Sequence, residues 1–149
     1  MRGSQVEISV RSAIGTGAIA LFHGIEPKEL ARLERLARPR QFEVGHVIVR
    51  EGDTGIALFT IVRGKVRVTL TLKDGTEREL KILGPGDSFG EMALFSGRRR
   101  SATITALEPV ECLVLHRFDF LDELRKYPDV AIRLLDTMSQ RLTESNHRS

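Results

Sequence analysis

The residues of this chain best suited to chemistry lie together between Phe89 and Thr103, in the run Phe-Gly-Glu-Met-Ala-Leu-Phe-Ser-Gly-Arg-Arg-Arg-Ser-Ala-Thr. Glu91 to Phe95 are helix formers set between two β-patterned regions. One helical turn inserted there leaves backbone N–H groups without partners at its N-terminus, and such groups face anions. Gly90 lets a ligand come close to the backbone. Arg100 follows Glu91 across the turn Ser96-Gly97, and its guanidinium is built to meet a phosphate with two parallel charge-assisted hydrogen bonds. Glu91 repels a phosphate, so its work is either to accept a hydrogen bond from a sugar hydroxyl or to orient Arg100. An acid, a base and a helix N-terminus in one segment suit a ligand carrying a phosphate beside a hydroxyl.

Other chemistries find little support. Cys112 is the sole cysteine, which excludes an intramolecular disulfide and a cysteine-held metal or iron–sulfur site within one chain. His23, His46, His116 and His147 are scattered, without the close spacing a metal-dependent β-roll enzyme needs. No nucleophile–base pair or Walker-type loop is present, so an enzyme is not expected. The net charge of +3, from 23 basic and 20 acidic residues, is too mild to mark a nucleic-acid surface.

The elements that must hold the segment follow from periodicity. With 149 residues, 41% hydrophobic and 29% charged, the chain fits one globular domain. No apolar run approaches the ~18 residues of a membrane span, and no signal peptide is evident. Residues 1–19 are read as a flexible arm or tag remnant, and 20–149 as the domain. Pro27 to Arg38 reads as a helix with Leu30, Leu33, Leu36 and Ala37 on one face, stopped by Pro39. Val47, Val49, Ile56, Leu58, Ile61, Val66, Val68, Leu70 and Leu72 then alternate with polar residues, punctuated by glycines, as short strands do. Lys73-Asp74-Gly75-Thr76 predicts a hairpin with a primed turn. A second β-run covers 102–106 and 110–116. A short helix is expected over 119–126 and a longer one from Pro128 to about Asn146. Helix, about eight short strands, then helices is an α+β architecture built on an antiparallel roll.

The run from Phe89 to Thr103 strongly resembles the phosphate-binding cassette of cyclic-nucleotide-binding domains, found in kinase A regulatory subunits, cyclic-nucleotide-gated channels and the catabolite activator family. Gly45 to Ile48, Glu51-Gly52-Asp53, Ile61 to Val66 and Leu83 to Asp87 also look like this family, and the likeness runs from Leu21-Phe22 to about Asn146. The resemblance implies an eight-stranded jelly-roll (a double-stranded β-helix) flanked by helices. It implies that Glu91 accepts from the ribose 2′-hydroxyl, and that Arg100 pairs with the cyclic phosphate. Phe89 would belong to the ligand site, the backbone at Gly90, Met92, Ala93 and Ser101-Ala102 would contact ribose and phosphate, and Val68 and Leu80 would wall the base. Serine after the arginine matches the bacterial cAMP receptors, where it touches phosphate; it also suits a guanine amino group. Ser145 and Asn146 fall where those receptors contact the adenine amino group, or they belong to a frayed helix end.

The reading is therefore a cytoplasmic cyclic-nucleotide sensor that prefers cAMP to cGMP, needs no cofactor, and signals by repacking its C-terminal helices. Leu134, Met138 and Leu142 are either core or the seam of a homodimer. Ser149 leaves no room after the long helix for a helix-turn-helix, so the alternatives are the sensory half of a truncated transcription regulator, with DNA a partner only through a missing domain, or a degenerate cassette acting as an interaction module.

Overall fold

The structure is a computed structural model that describes residues 24–90, 94 and 99–148, without the side chains of residues 141 and 145–148. The arm expected over 1–19 and Leu21-Phe22 thus lie outside the described residues. Helix α1 (Pro27–Leu36) leads into strands β1 (Arg38–Phe42), β2 (Val47–Val49), β3 (Ala57–Arg63), β4 (Val66–Thr71), β5 (Glu77–Leu83), β6 (Ser88–Phe89), β7 (Thr103–Ala106) and β8 (Val110–His116). Helices α2 (Arg117–Lys126) and α3 (Pro128–Arg148) complete the chain. The strands form two four-stranded antiparallel sheets, ordered β1-β8-β3-β6 and β2-β7-β4-β5. This is the jelly-roll expected.

α1 begins as expected, with Pro27 in its first turn, but ends two residues early. Arg38 precedes a proline, which pushes it into extended geometry. Pro39, lacking an N–H, sits in edge strand β1 opposite Leu113. The hairpin between β4 and β5 also differs from the primed turn expected. Gly75 alone in it has a positive φ, 87°, and its N–H donates to the Leu72 carbonyl at 2.9 Å. Asp74 keeps a negative φ and instead accepts from the N–H and hydroxyl of Thr76. The loop is therefore three residues long, Lys73 to Gly75, with the glycine in the left-handed position that closes it.

Two apolar clusters result. One fills the space between the sheets with Phe42, Phe59, Ile61, Val66, Val68, Phe89, Ile104 and Cys112. The other lies between the outer face of the β1-β8-β3-β6 sheet and the helices, with Leu33, Leu58, Leu94, Leu113, Leu115, Phe120, Val130 and Leu134. Strand β3 feeds both, since alternate side chains point to opposite faces, and Ala57 to Ile61 are therefore all buried. Strand β5 is the opposite case. It is an edge strand exposed from Glu77 to Ile82, and β6, at the same end of the facing sheet, is only two residues long.

Candidate functional site

The segment joining β6 to β7 carries the candidate site. Its C-terminal end is fixed by backbone bonds to the loop between β2 and β3: Arg100 N–H donates to the Asp53 carbonyl at 2.7 Å, and Gly52 N–H donates to the Arg100 carbonyl at 2.8 Å. Thr54 and Arg99 form an isolated antiparallel bridge beside them. That loop is itself tied to the roll. Glu51 N–H donates to Thr103 Oγ1, and the Glu51 carboxylate accepts from Thr71 N–H, both at 3.0 Å.

The Arg100 side chain lies back along this loop. Its Nη2 donates to the Ala57 carbonyl at 2.7 Å, and its guanidinium carbon stands 5.8 Å from the Phe59 ring centroid. Phe59 in turn stacks on Phe89, centroids 5.0 Å apart and planes 8° from parallel. Half-burial on this apolar floor pulls the guanidinium pKa below its ordinary value, because desolvation disfavours the charged form. The group nonetheless stays a cation. Among the described residues it makes no ion pair.

Gly90 is required beside it for two reasons. Its φ is +87°, and a Cβ there would fall on the Arg100 guanidinium and 2.9 Å from the Ala57 carbonyl oxygen. Glu91, Met92 and Ala93 lie outside the described residues. Leu94, next along, is completely buried in the helix-side cluster. Ser101 is exposed, and Ala102 is half-buried against the inter-sheet cluster. Phe89 and Gly90 at one end and Arg100 to Ala102 at the other are thus brought together.

The two base-wall residues part company. Val68 is buried in the inter-sheet core, opposite Lys81. Leu80 is 46% exposed, as the extra residue of a β-bulge between the Val68–Lys81 and Thr69–Glu79 pairs. Thr69 also pairs with Thr103, three residues after Arg100, so the bulge and the strand that follows the arginine flank β4 on opposite sides. Ser145 and Asn146 lie on α3, but their side chains are outside the described residues.

The ambiguous residues of α3 divide. Leu134 is core, Met138 is half-buried against the same cluster, and Leu142 is 66% exposed. Ile132 and Leu135 join Leu142 in an exposed apolar stripe. Sequence reasoning missed the Ala57 carbonyl and the Phe59 ring, and passed over Leu94. A backbone carbonyl leaves no mark in a sequence, and Phe59 reads as one more strand residue. Among the described residues no group of three or more His, Cys, Asp or Glu could hold a metal ion. Burial pushes the Cys112 thiol up to about 12, with Glu111 adding to the effect, so it is inert at neutral pH. No described helix is long and apolar enough to cross a membrane.

Comparison with known proteins bears on the family and the fold. The chain is 40% identical over 126 residues to the cyclic AMP receptor protein of Thermus thermophilus, covering 85% of this chain and 58% of that protein. It thus spans a little over half the length of such curated relatives. Among solved structures, the N-terminal domain of a transcriptional regulator from Streptomyces coelicolor superimposes with a TM-score of 0.80 at 32% identity, over 89% of this chain and 96% of that one. The regulatory domain of Toxoplasma gondii PKA with cAMP gives 0.69 at 30% identity, over 81% and 44%. The family model for the cyclic nucleotide-binding domain matches residues 39–127. The chain belongs to the cyclic nucleotide-binding domain family and is related to the receptor-type regulators.

Proposed function

We propose that this chain is a regulatory sensor for cAMP, without catalytic activity of its own, working in the cytoplasm. The observation that carries the reading is Arg100, a half-buried guanidinium with no acidic partner among the described residues, fixed by backbone bonds beside a glycine whose lack of a Cβ makes room for it. A cyclic phosphate suits this cation in bidentate geometry. Glu91 takes the ribose hydroxyl, the amides from Gly90 to Ala93 and at Ser101-Ala102 complete the cradle, and Leu80 with Val68 walls the base. Ser101, small and exposed, favours the phosphate-side role and hence adenine.

Leu94 gives the signal a route. It belongs to the cassette yet packs with Phe120, Val130 and Leu134 of the C-terminal helices. Ligand that draws the cassette inward shifts Leu94, and α2 and α3 repack; the differential affinity for the two arrangements drives the change. A second reading, the sensory half of a transcription regulator that pairs through α3, is favoured by the exposed stripe Ile132, Leu135 and Leu142. It adds to the sensor rather than replacing it.

Titration calorimetry with cAMP and cGMP, on protein unfolded and refolded to strip copurified ligand, tests the reading. Micromolar or tighter cAMP binding with cGMP weaker is expected. The reverse order keeps the sensor and assigns Ser101 to guanine. No heat with either refutes the sensor and leaves an interaction module.

A further inference from the structure

Ser101 is exposed, two residues before β7 begins, while Arg100 before it and Ala102 after it are half-buried. The sequence sets Arg98, Arg99 and Arg100 immediately ahead of it, and no other serine or threonine of the chain follows three basic residues. Arg99 is exposed and lies against Thr54 in an isolated antiparallel bridge. The backbone bonds of Arg100 to Asp53 and Gly52 hold this stretch on the β2–β3 loop. Neither Arg99 nor Arg100 makes an ion pair among the described residues. An exposed loop serine behind consecutive arginines carries the charge pattern by which one class of protein kinase selects its substrates.

What a phosphate there would do follows from Arg100, whose side chain donates to one neutral acceptor, the Ala57 carbonyl. A phosphoserine carries about −1.5 to −2 charges and three strong acceptor oxygens. On the next residue it can take up the charge-assisted bonds of the guanidinium. In the proposed function the Ser101 hydroxyl lies on the phosphate side of the ligand, so a phosphoryl group bonded to it would stand in the place of the cyclic phosphate. We propose that Ser101 is a phosphorylation site, and that its phosphate occupies Arg100 and excludes the cyclic nucleotide. The Ser101 Oγ attacks the γ-phosphorus of ATP held by a protein kinase. The new O–P bond forms as the bond to the β–γ bridging oxygen breaks, ADP leaves, and the hydroxyl proton passes to the catalytic carboxylate of the kinase. Two anions then compete for one cation, and the coupling is reciprocal: bound nucleotide shields Ser101, and phosphorylated Ser101 turns nucleotide away. A tethered phosphate that holds Arg100 about nine-tenths of the time lowers the apparent affinity about tenfold. This rests on the cyclic-nucleotide reading of the site.

The test uses the full chain, unfolded and refolded to strip ligand, with magnesium ATP and the isolated catalytic subunit of kinase A as the probe kinase. Peptide mass spectrometry should find a phosphate on Ser101, and intact mass should show one phosphate fewer on Ser101→Ala. Saturating cAMP should slow uptake at Ser101 by about tenfold or more, and calorimetry should find cAMP binding to the phosphorylated protein weaker by a similar factor. Phosphorus NMR of the phosphorylated, ligand-free protein should place the second phosphate pKa below its ordinary value of ~6, returning toward it in Arg100→Ala. No phosphate on Ser101 in the ligand-free chain overturns the proposal, as does a phosphorylated protein that binds cAMP as tightly as the unmodified one. A second pKa left at its ordinary value overturns the pairing with Arg100. Unmodified protein that gives no heat with cAMP refutes the sensor reading itself, and the exclusion with it.

Discussion

Replacing Arg100 with alanine separates binding from folding. Among the described residues the guanidinium makes one neutral acceptor contact, to the Ala57 carbonyl, and lies half-buried over Phe59. Losing that hydrogen bond costs about 0.5–1.5 kcal/mol. Removing a cation whose burial already disfavours its charged form offsets part of this. The ligand-free variant should therefore melt within a few degrees of wild type. Binding is another matter, because the cyclic phosphate would sit in the site without its counter-ion. Truncating one partner of a buried charge pair costs about 2–5 kcal/mol, a loss of roughly 30-fold to several thousand-fold in affinity. Calorimetry with cAMP measures the second quantity and thermal melting without ligand the first. Arg100→Lys, which keeps the charge and loses the fork, should fall between. An Arg100→Ala protein that melts normally and binds cAMP as tightly as wild type would refute the assignment. One that unfolds would show that the residue serves the loop rather than the ligand.

Gly90→Ala forces a positive φ on a residue with a Cβ and pushes that Cβ onto the Arg100 guanidinium. A loss of about 1–2 kcal/mol in stability from the backbone alone, with at least a tenfold loss of cAMP affinity, is expected from denaturant melts and titration; wild-type values for both would contradict the close approach described. Glu91→Ala should cost about 1–3 kcal/mol of binding, and wild-type protein should discriminate against 2′-deoxy-cAMP; equal binding of that ligand would remove the ribose role. The Cys112 thiol has a folded pKa of about 12 against about 9 for an ordinary thiol. The folded state therefore holds the proton longer, and stability should fall as pH climbs through that window. Urea midpoints for wild type and Cys112→Ala should diverge from one another between those two values and run parallel below them. Leu135→Glu with Leu142→Glu should leave cAMP binding intact and abolish any dimer seen by sedimentation; an unchanged sedimentation coefficient in a dimeric wild type would place the interface elsewhere.

The parts of the fold legible in the sequence are those where local chemistry and tertiary environment agree. The seven residues of β8 alternate and pack as their pattern implies, and Pro27 opens α1 as its fixed φ requires. Strand β1 was not legible, because Arg38-Pro39-Arg40-Gln41 is an exposed edge held by its ladder to β8 rather than by side chains of its own. Ile56 and Leu72 fit the alternation but lie just outside their strands, exposed, where the β2–β3 loop and the hairpin end the ladders. At the site, Arg100 and Gly90 were visible because only those side-chain types do the work. The Ala57 carbonyl was not, since any residue would supply it. Leu80 and Val68 read alike in sequence; a bulge and an open sheet edge are what give them different surroundings.

The cassette bridges the two apolar clusters, and this decides which part of the molecule answers a ligand. Phe89 anchors its start among the strands, stacked on Phe59, whereas Leu94 anchors its middle among the helices. A ligand that tightens the segment from Gly90 to Arg100 must move one cluster relative to the other. The inter-sheet cluster is enclosed by backbone ladders, β3 to β8 and β4 to β5 and β7. Shifting it would break many backbone hydrogen bonds at once. The helix-side cluster meets the roll through side chains, with the Arg117 N–H to Ile56 carbonyl bond of 2.8 Å at the β8–α2 joint as a backbone tether. Packed helices accommodate small shears by exchanging side-chain contacts. In the proposed sensor the helices are therefore the part expected to move, beginning with α2, whose Phe120 shares the cluster with Leu94.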